Sequence, residues 1–222
     1  MRKKTLAPQQ ARSRDSLERL TKAAWHILNE KGLAGATIPR IAARAGLSPG
    51  AVYRRFPDKD ALLREVVLAT LRSADQHNEA ALQPELAERL SFVELAEMAV
   101  RTSLASHRRN TGLLRAIIQF TLAHPSSAFK KKVAELEIRT FSRVVDFMLL
   151  KRAEIKHPKP DEAVAFGMLL VGLALREIVV LDVQPDVRDP RVPANDDDLA
   201  RELTRSFLSY LGIAYKPKRA SR

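Results

Sequence analysis

The chain has 222 residues, enough for one or two domains with a sizeable core, and its 45% hydrophobic and 29% charged residues are an ordinary globular balance. The absence of Cys excludes a disulfide framework and a thiolate metal site. Aromatic residues are only 5% of the chain, Ala, Leu, Arg and Glu dominate, and the formal net charge is +12, so we predict a basic, all-α protein.

The positive charge is concentrated near the N-terminus. Residues 1–64 hold 14 Lys and Arg against 5 Asp and Glu, a net charge of +9, whereas residues 65–215 hold 20 against 21, a net charge of −1. A basic segment joined to a neutral body is typical of a nucleic-acid-binding protein. A chain whose surfaces are basic throughout, for no local reason, gives the same total, so charge alone does not decide.

No segment of the sequence predicts export or membrane insertion. The basic N-terminus lacks the apolar stretch that follows in a signal peptide. The longest run of apolar residues, Ala163–Leu175, has 13 residues and is too short to cross a bilayer. We therefore expect a cytoplasmic protein, associated with the bacterial nucleoid, that has no membrane partner.

Four helices are predicted in the first 81 residues, after a disordered basic arm at residues 1–12. Apolar residues recur at helical spacing, and residues that favour helix caps and helix ends bound each run. The predicted helices are Ser13–Lys31 before Gly32, 39–45 between Thr37 and Gly46, 49–55 after Ser48, and 59–81 after Asp58.

The pattern stays helical beyond Pro84. Apolar periodicity predicts helices near residues 91–109, 111–124, 127–155, 161–181 and 195–212. Residues 183–193 contain three prolines and no period, which predicts a loop, and residues 215–222 predict a basic, disordered tail.

The segment 37–59 combines a tight turn with residues suited to DNA. Gly46 permits a left-handed turn between two short helices, and such a helix-turn-helix places its second helix in the major groove. Small residues let that helix approach closely, hydroxyl and cationic groups bind phosphate, and Arg pairs well with guanine. The predicted DNA contacts are Thr37, Arg40, Ser48, Pro49, Gly50, Tyr53, Arg54, Arg55 and Lys59.

This segment resembles the DNA-binding domain of the TetR (tetracycline-repressor-like) family of transcriptional regulators. The likeness covers about residues 13–63, and the matching residues are Thr37, Ile41, Ala42, Ala45, Gly46, Leu47, Ser48, Gly50, Val52, Tyr53, Phe56, Lys59 and Leu62. Many family members have His or Tyr where this chain has Arg55. One of Arg54 and Arg55 is expected to read a base, and the sequence does not say which.

The resemblance implies a specific architecture and mode of action. A three-helix, homeodomain-like domain at residues 13–63, with its helix-turn-helix at about 37–56, would be joined by a long helix to an all-helical effector-binding and dimerisation domain at 64–214. It also implies a dimeric repressor that a small-molecule effector releases from a palindromic operator. The effector, the operator and the choice between activation and repression do not follow from the sequence.

The helix at 161–181 is apolar all round, and small residues along one face permit close packing against the helix at 195–212. We predict a dimer interface there, with an intramolecular core helix as the alternative. The candidate interface residues are Ala163, Gly167, Val171, Ala174, Leu203 and Phe207.

Apolar residues of the middle helices are candidates for an effector pocket, with plain core packing as the alternative. The candidate pocket residues are Phe120, His124, Phe141, Val145, Met148 and Phe166. His124 precedes Pro125 at the end of a predicted helix, so a capping role for it is the other interpretation.

Nothing in the sequence predicts a metal, a cofactor or an enzyme. The five His residues lack metal-ligand spacing, and GxSxG, P-loop and Rossmann glycine patterns do not occur. Two other functions stay open. One is a helical enzyme that uses its N-terminal helices as a scaffold, and the other is an architectural DNA-binding protein without an effector.

Overall fold

The computed structural model describes residues 6–124, 127–181, 193 and 195–216, with backbone alone for residues 6–14 and 127. Every regular element within these ranges is helical, which confirms the all-α class. The α-helices are α1 (Leu6–Gly35), α2 (Ile38–Arg44), α3 (Pro49–Tyr53), α4 (Lys59–Ala81), α5 (Pro84–Glu88), α6 (Phe92–Arg109), α7 (Thr111–Ala123), α8 (Ser127–Leu149), α9 (Pro160–Leu175) and α10 (Asp196–Tyr210). A 3-10 turn, Arg152–Glu154, follows α8, and a π-helical segment, Arg176–Val180, continues α9.

Two glycines end helices where the sequence predicts. Gly32 interrupts α1 with φ 64° and ψ −171°, so a separate last turn, residues 33–35, follows it. Gly46 has φ 66°, and beside it the Leu47 N–H donates to the Ala42 carbonyl at 2.9 Å. A glycine in the left-handed region together with this bond closes the turn between α2 and α3.

Side-chain caps begin α3 and α4. The Ser48 Oγ accepts from the Ala51 N–H at 3.2 Å, and the Asp58 Oδ1 accepts from the Ala61 N–H at 2.6 Å. Thr37 is the N-cap of α2, as the sequence predicts. Its side chain makes no capping bond, and the start of α2 is held by its carbonyl, which accepts from the Ile41 N–H at 3.0 Å.

The first helix is longer than the sequence predicts. α1 begins at Leu6, so residues 6–12, expected to be disordered, have helical backbone. Residues 1–5 of that predicted arm lie outside the described residues. So do residues 183–192 of the predicted loop and 217–222 of the predicted tail.

The chain folds as two compact units. The first comprises residues 1–73 and 112–136, and the second comprises residues 74–111 and 137–222. Apolar residues of α7, among them Leu113, Ile117 and Phe120, share one hydrophobic cluster with α1 to α4. The division expected from sequence places α7 in the body, whereas the structure packs it with the N-terminal helices.

The second unit is centred on α6, α9 and α10. Phe92, Val171 and Leu175 lie in its hydrophobic cluster, together with Phe207. α9 and α10 approach closely at Gly167, where an added Cβ would lie 2.5 Å from the Phe207 ring. Tight packing at this point therefore requires glycine.

Candidate nucleic-acid interface

Close packing fixes the helix-turn-helix, residues 37–55, on its inner side. Ile41, Ala42 and Val52 have no exposed surface, and they share a cluster with Leu20 and Ile27 of α1. These residues are core, as the sequence predicts. The backbone of α3 is thereby held rigidly in relation to α1, which is what a helix that enters a DNA groove requires.

The outer side of the same segment is exposed and cationic. Tyr53 is 55% exposed, an unusual position for a ring in a well-packed domain. Eight of the nine predicted DNA contacts are exposed, and we call these eight the recognition surface: Thr37, Arg40, Ser48, Pro49, Gly50, Tyr53, Arg54 and Arg55. The recognition surface carries three guanidinium groups and no carboxylate.

The start of α3 is open to a close approach. A Cβ added at Gly50 would meet no atom within 4 Å, so space in front of this turn is empty. The Ser48 hydroxyl oxygen accepts the capping bond from α3, and its own proton stays available for an acceptor such as a phosphate oxygen. The first turn of α3 therefore offers a small, polar edge.

Arg54 and Arg55 follow α3 and line a shallow groove between α1 and α3. Ser16 and Leu20 form the α1 side of this groove, and Ala51 lies on its α3 side. Both Arg side chains are exposed. Their guanidinium groups suit either a phosphate or a base edge, since Arg binds both in bidentate geometry.

Lys59, the ninth predicted contact, lies elsewhere. It is half-buried, and its Nζ donates to the Leu33 carbonyl at 3.1 Å. Arg40 Nη1 donates to the Gly35 carbonyl at 3.0 Å, so two cations bind the turn that follows the break at Gly32. The geometry shows Lys59 holding the start of α4 against the end of α1.

Two further Arg residues support the helix-turn-helix, and the sequence analysis does not predict this role for them. Arg19 of α1 donates to the Ala45 carbonyl at 3.4 Å, beside the turn. Arg44 pairs with Glu30 at 2.7 Å, and this hydrogen bond lowers the pKa of the Glu30 carboxyl. The partners of Arg19 and Arg44 are 26 and 14 residues away in the sequence, so no local pattern reveals these bonds.

The candidate pocket residues are divided between the two units. Phe120 and His124 belong to the first unit, where their rings stack at 4.1 Å. Val145 and Met148 are buried in the core of the second unit, and Phe141 packs against that core. Phe166 is 50% exposed, so its assignment to an internal cavity is wrong.

The candidate interface residues mostly face inward. Ala163, Gly167, Val171 and Phe207 are buried within the second unit, while Ala174 and Leu203 are half-buried. The small-residue face of α9 thus packs on its own chain, because only small side chains admit the Phe207 ring. The intramolecular alternative describes this face correctly.

The opposite face of α9 is apolar and exposed. Its large side chains are Phe166 (50% exposed), Leu169 (47%), Leu170 (47%) and Leu173 (49%). The Phe166 ring also contacts the exposed Tyr210 ring of α10, at 5.9 Å between centroids. We call these five residues the α9 apolar face.

The helix Pro160–Val180 is long and apolar enough to cross a membrane by length and composition. Of its most apolar 18-residue stretch, 39% is buried within the protein. Core helices of soluble proteins meet the same criterion. Over the described residues, no cluster of three or more His, Asp or Glu is arranged to hold a metal ion.

Residues 20–66 match the sequence model of the bacterial regulatory proteins, tetR family. Two curated relatives are similar over part of the chain. One is the HTH-type transcriptional regulator BetI of Stenotrophomonas maltophilia, 44% identical over 55 residues, and the other is BetI of Paraburkholderia phytofirmans, 43% identical over 53 residues. The matches cover 25% and 24% of this chain, and only 28% and 27% of the relatives' lengths.

Solved structures share the fold over nearly the whole chain. A protein assigned to the TetR family from Mesorhizobium loti has a TM-score of 0.69 at 24% identity, covering 90% of this chain and 97% of its own. A TetR transcription regulator from Haloarcula marismortui gives 0.64 at 18% identity, with coverages of 90% and 97%. FadR from Bacillus subtilis, solved with stearoyl-CoA, gives 0.59 at 17% identity, with coverages of 89% and 99%.

Proposed function

We propose that the chain, whose residues 20–66 match the tetR family of bacterial regulatory proteins, acts as a dimeric transcriptional repressor. It would bind a palindromic operator through two copies of the recognition surface. A small-molecule effector would release it. Its place of action would be the cytoplasm, at the bacterial nucleoid.

The observation that carries the proposal is the division of residues 37–55 into two sides. The inner side is fully buried, and the outer side presents small, hydroxyl-bearing and guanidinium groups. Buried packing holds α3 in a fixed orientation, and exposed Arg54 and Arg55 lie directly after it. Phosphate contacts fix the register of a helix in the groove, and base contacts supply the specificity.

The proposed dimer forms through the α9 apolar face, with a second copy of this chain as its occupant. Three observations support this choice. The face is continuous along the helix, it extends onto α10 through Tyr210, and charged residues, Glu162 and Arg176, border it at the two ends. When two copies pair about a two-fold axis, the same face contacts itself. Such a dimer carries two copies of the recognition surface, one for each half of a palindrome.

We infer an effector site in the second unit, which holds the candidate pocket residues Phe141, Val145 and Met148. An effector changes operator affinity only if it binds two conformations of the protein with different free energies. The fold of FadR from Bacillus subtilis accommodates stearoyl-CoA, so long-chain acyl compounds are the first class to test on this chain. An architectural DNA-binding protein would show no such response, and an enzyme would turn the compound over.

Selection of bound sequences from random double-stranded DNA tests the proposal. We expect a palindrome whose half-sites are about 10 base pairs apart, centre to centre. Fluorescence anisotropy then measures the affinity for that sequence in the wild type and in Arg54→Ala. Arg152→Ala, which removes an exposed cation paired with Asp161 in the second unit, is the matched control. A protein that selects no sequence, or equal binding by Arg54→Ala and wild type, would contradict the assignment.

A further inference from the structure

His124, directly after α7, has both ring nitrogens at hydrogen-bond distance from oxygen acceptors. Its Nδ1 lies 2.8 Å from the Phe120 carbonyl oxygen, and its Nε2 lies 3.0 Å from Oδ2 of Asp60 in α4. Neither a carbonyl nor a carboxylate oxygen carries a proton, so both nitrogens must donate. A neutral imidazole has one N–H and the imidazolium has two. The geometry therefore fits a protonated His124.

The surroundings of the ring favour the same charge state. His124 lies at the C-terminal end of α7, where the helix dipole favours a positive charge. Asp60 lies in the first turn of α4, where the dipole favours a negative charge. The ring also stacks on Phe120 at 4.1 Å, a contact that favours a cation. On the α8 side, the Phe129 ring packs against Phe120.

Among the described residues, the charged groups that shift the pKa of His124 are Asp60 and Arg64, both on α4. The hydrogen bond that the His124 ring donates to the Phe120 carbonyl raises the pKa of His124 most, the Asp60 carboxylate raises it next, and burial and the Arg64 guanidinium oppose them. Because the pKa of His124 is raised in the folded protein, the His124–Asp60 pair contributes its full stabilisation of the fold below the ordinary pKa of His. This stabilisation is lost as the pH rises through the folded pKa.

Asp60 stands where the helix-turn-helix meets α4. It lies two residues after the Asp58 cap and next to Lys59, which binds the Leu33 carbonyl. A bond from α7 to Asp60 therefore restrains the first turn of α4, five residues beyond Arg55. That turn anchors the C-terminal end of the recognition surface.

We propose that His124 is a positioning residue for DNA binding, and that its protonated ring, bound to Asp60, makes operator affinity depend on pH. This inference rests on the proposed function. Loss of the proton removes one of the two hydrogen bonds and the charge opposite Asp60. The start of α4 then gains freedom, and operator affinity falls.

Operator affinity measured from pH 5.5 to 8.5 at constant ionic strength tests the proposal. We expect the wild type to lose roughly two- to fivefold in affinity on deprotonation of His124, since the pair is partly exposed. His124→Gln and Asp60→Asn should lack this component of the pH dependence. His77→Gln, which removes an exposed His of the second unit, should retain it.

NMR titration of the His ring protons, without DNA, gives a second readout. The wild-type His124 should titrate above the ordinary value of about 6.5, and Asp60→Asn should bring it down. A His124 that titrates at or below that value overturns the proposal, as does an unchanged pH dependence in His124→Gln. If the wild type binds no DNA at any pH, the proposed function fails, and the titration still shows whether the pair exists.

Discussion

Replacing Gly112 with Ala changes the point where α7 meets α1. An added Cβ at Gly112 would lie 2.1 Å from the backbone oxygen of Asn29 and 2.9 Å from its carbonyl carbon. Real Cβ atoms do not come this close to backbone, and a main chain inside a helix yields far less than the tip of a side chain. The start of α7 must therefore move away from α1.

That movement also affects a hydrogen bond. The Asn29 Oδ1 accepts from the Leu113 N–H at 3.0 Å, and a displaced α7 breaks this bond. Overpacking costs about 1–3 kcal/mol, and the lost bond costs about 0.5–1.5 kcal/mol. The smaller entropy of the unfolded Ala chain returns about 0.4–1 kcal/mol. We expect a net loss of about 1–4 kcal/mol in the free energy of unfolding.

Urea unfolding followed by tryptophan fluorescence measures this loss. Trp25, the only Trp of the chain, is partly buried in the first unit and reports that unit's unfolding. The midpoint for Gly112→Ala should fall by roughly 0.5–2 M. Gly50→Ala is the matched control, because its Cβ enters open space in the same unit, and its midpoint should stay or rise slightly. Equal midpoints for Gly112→Ala and wild type would refute the close approach of α1 and α7.

Three further predictions concern DNA binding and assembly. Lys59→Ala should lower the stability of the first unit by about 1 kcal/mol and leave the salt dependence of DNA binding unchanged, because its Nζ binds the Leu33 carbonyl. A salt slope reduced by about one would instead show a phosphate contact. Arg54→Ala should weaken operator binding tenfold or more if it reads a base, with relaxed specificity at one position in a repeated selection. Leu169→Glu should give a monomer in light scattering at micromolar concentration, whereas Leu122→Glu, at a more exposed position on α7 (70% against 47%), should not.

The helix-turn-helix was predictable because its signals are local. Gly46 ends α2, Ser48 caps α3 and Asp58 caps α4, each through bonds within five residues. The split of residues 37–55 into core and exposed sides also follows from the spacing of apolar residues. Helix bounds differ from the predicted ones by at most two residues in α2 and α3.

The rest depends on contacts between distant residues. The cationic charge of Lys59 in the first turn of a helix predicts a phosphate contact, and only the fold brings the Leu33 carbonyl to its Nζ. α9 is apolar around its whole circumference, so its sequence does not say which face turns inward. Phe207 decides this, because its ring needs Gly167 opposite it. The sequence likewise contains no sign that α7 packs with α1, since Asn29 and Leu113 are 84 residues apart.

The first unit is discontinuous along the chain, since residues 1–73 are completed by residues 112–136. This limits how the gene can be recombined. A hybrid regulator that takes only residues 20–66, the stretch matched by the family, would leave Asn29 without Leu113 and the apolar cluster without Phe120. Exchange of residues 20–66 alone would therefore destabilise the first unit. Substitution at an exposed position such as Arg54 keeps the core of the first unit intact, and we expect it to be the easier way to change the DNA sequence that the proposed repressor binds.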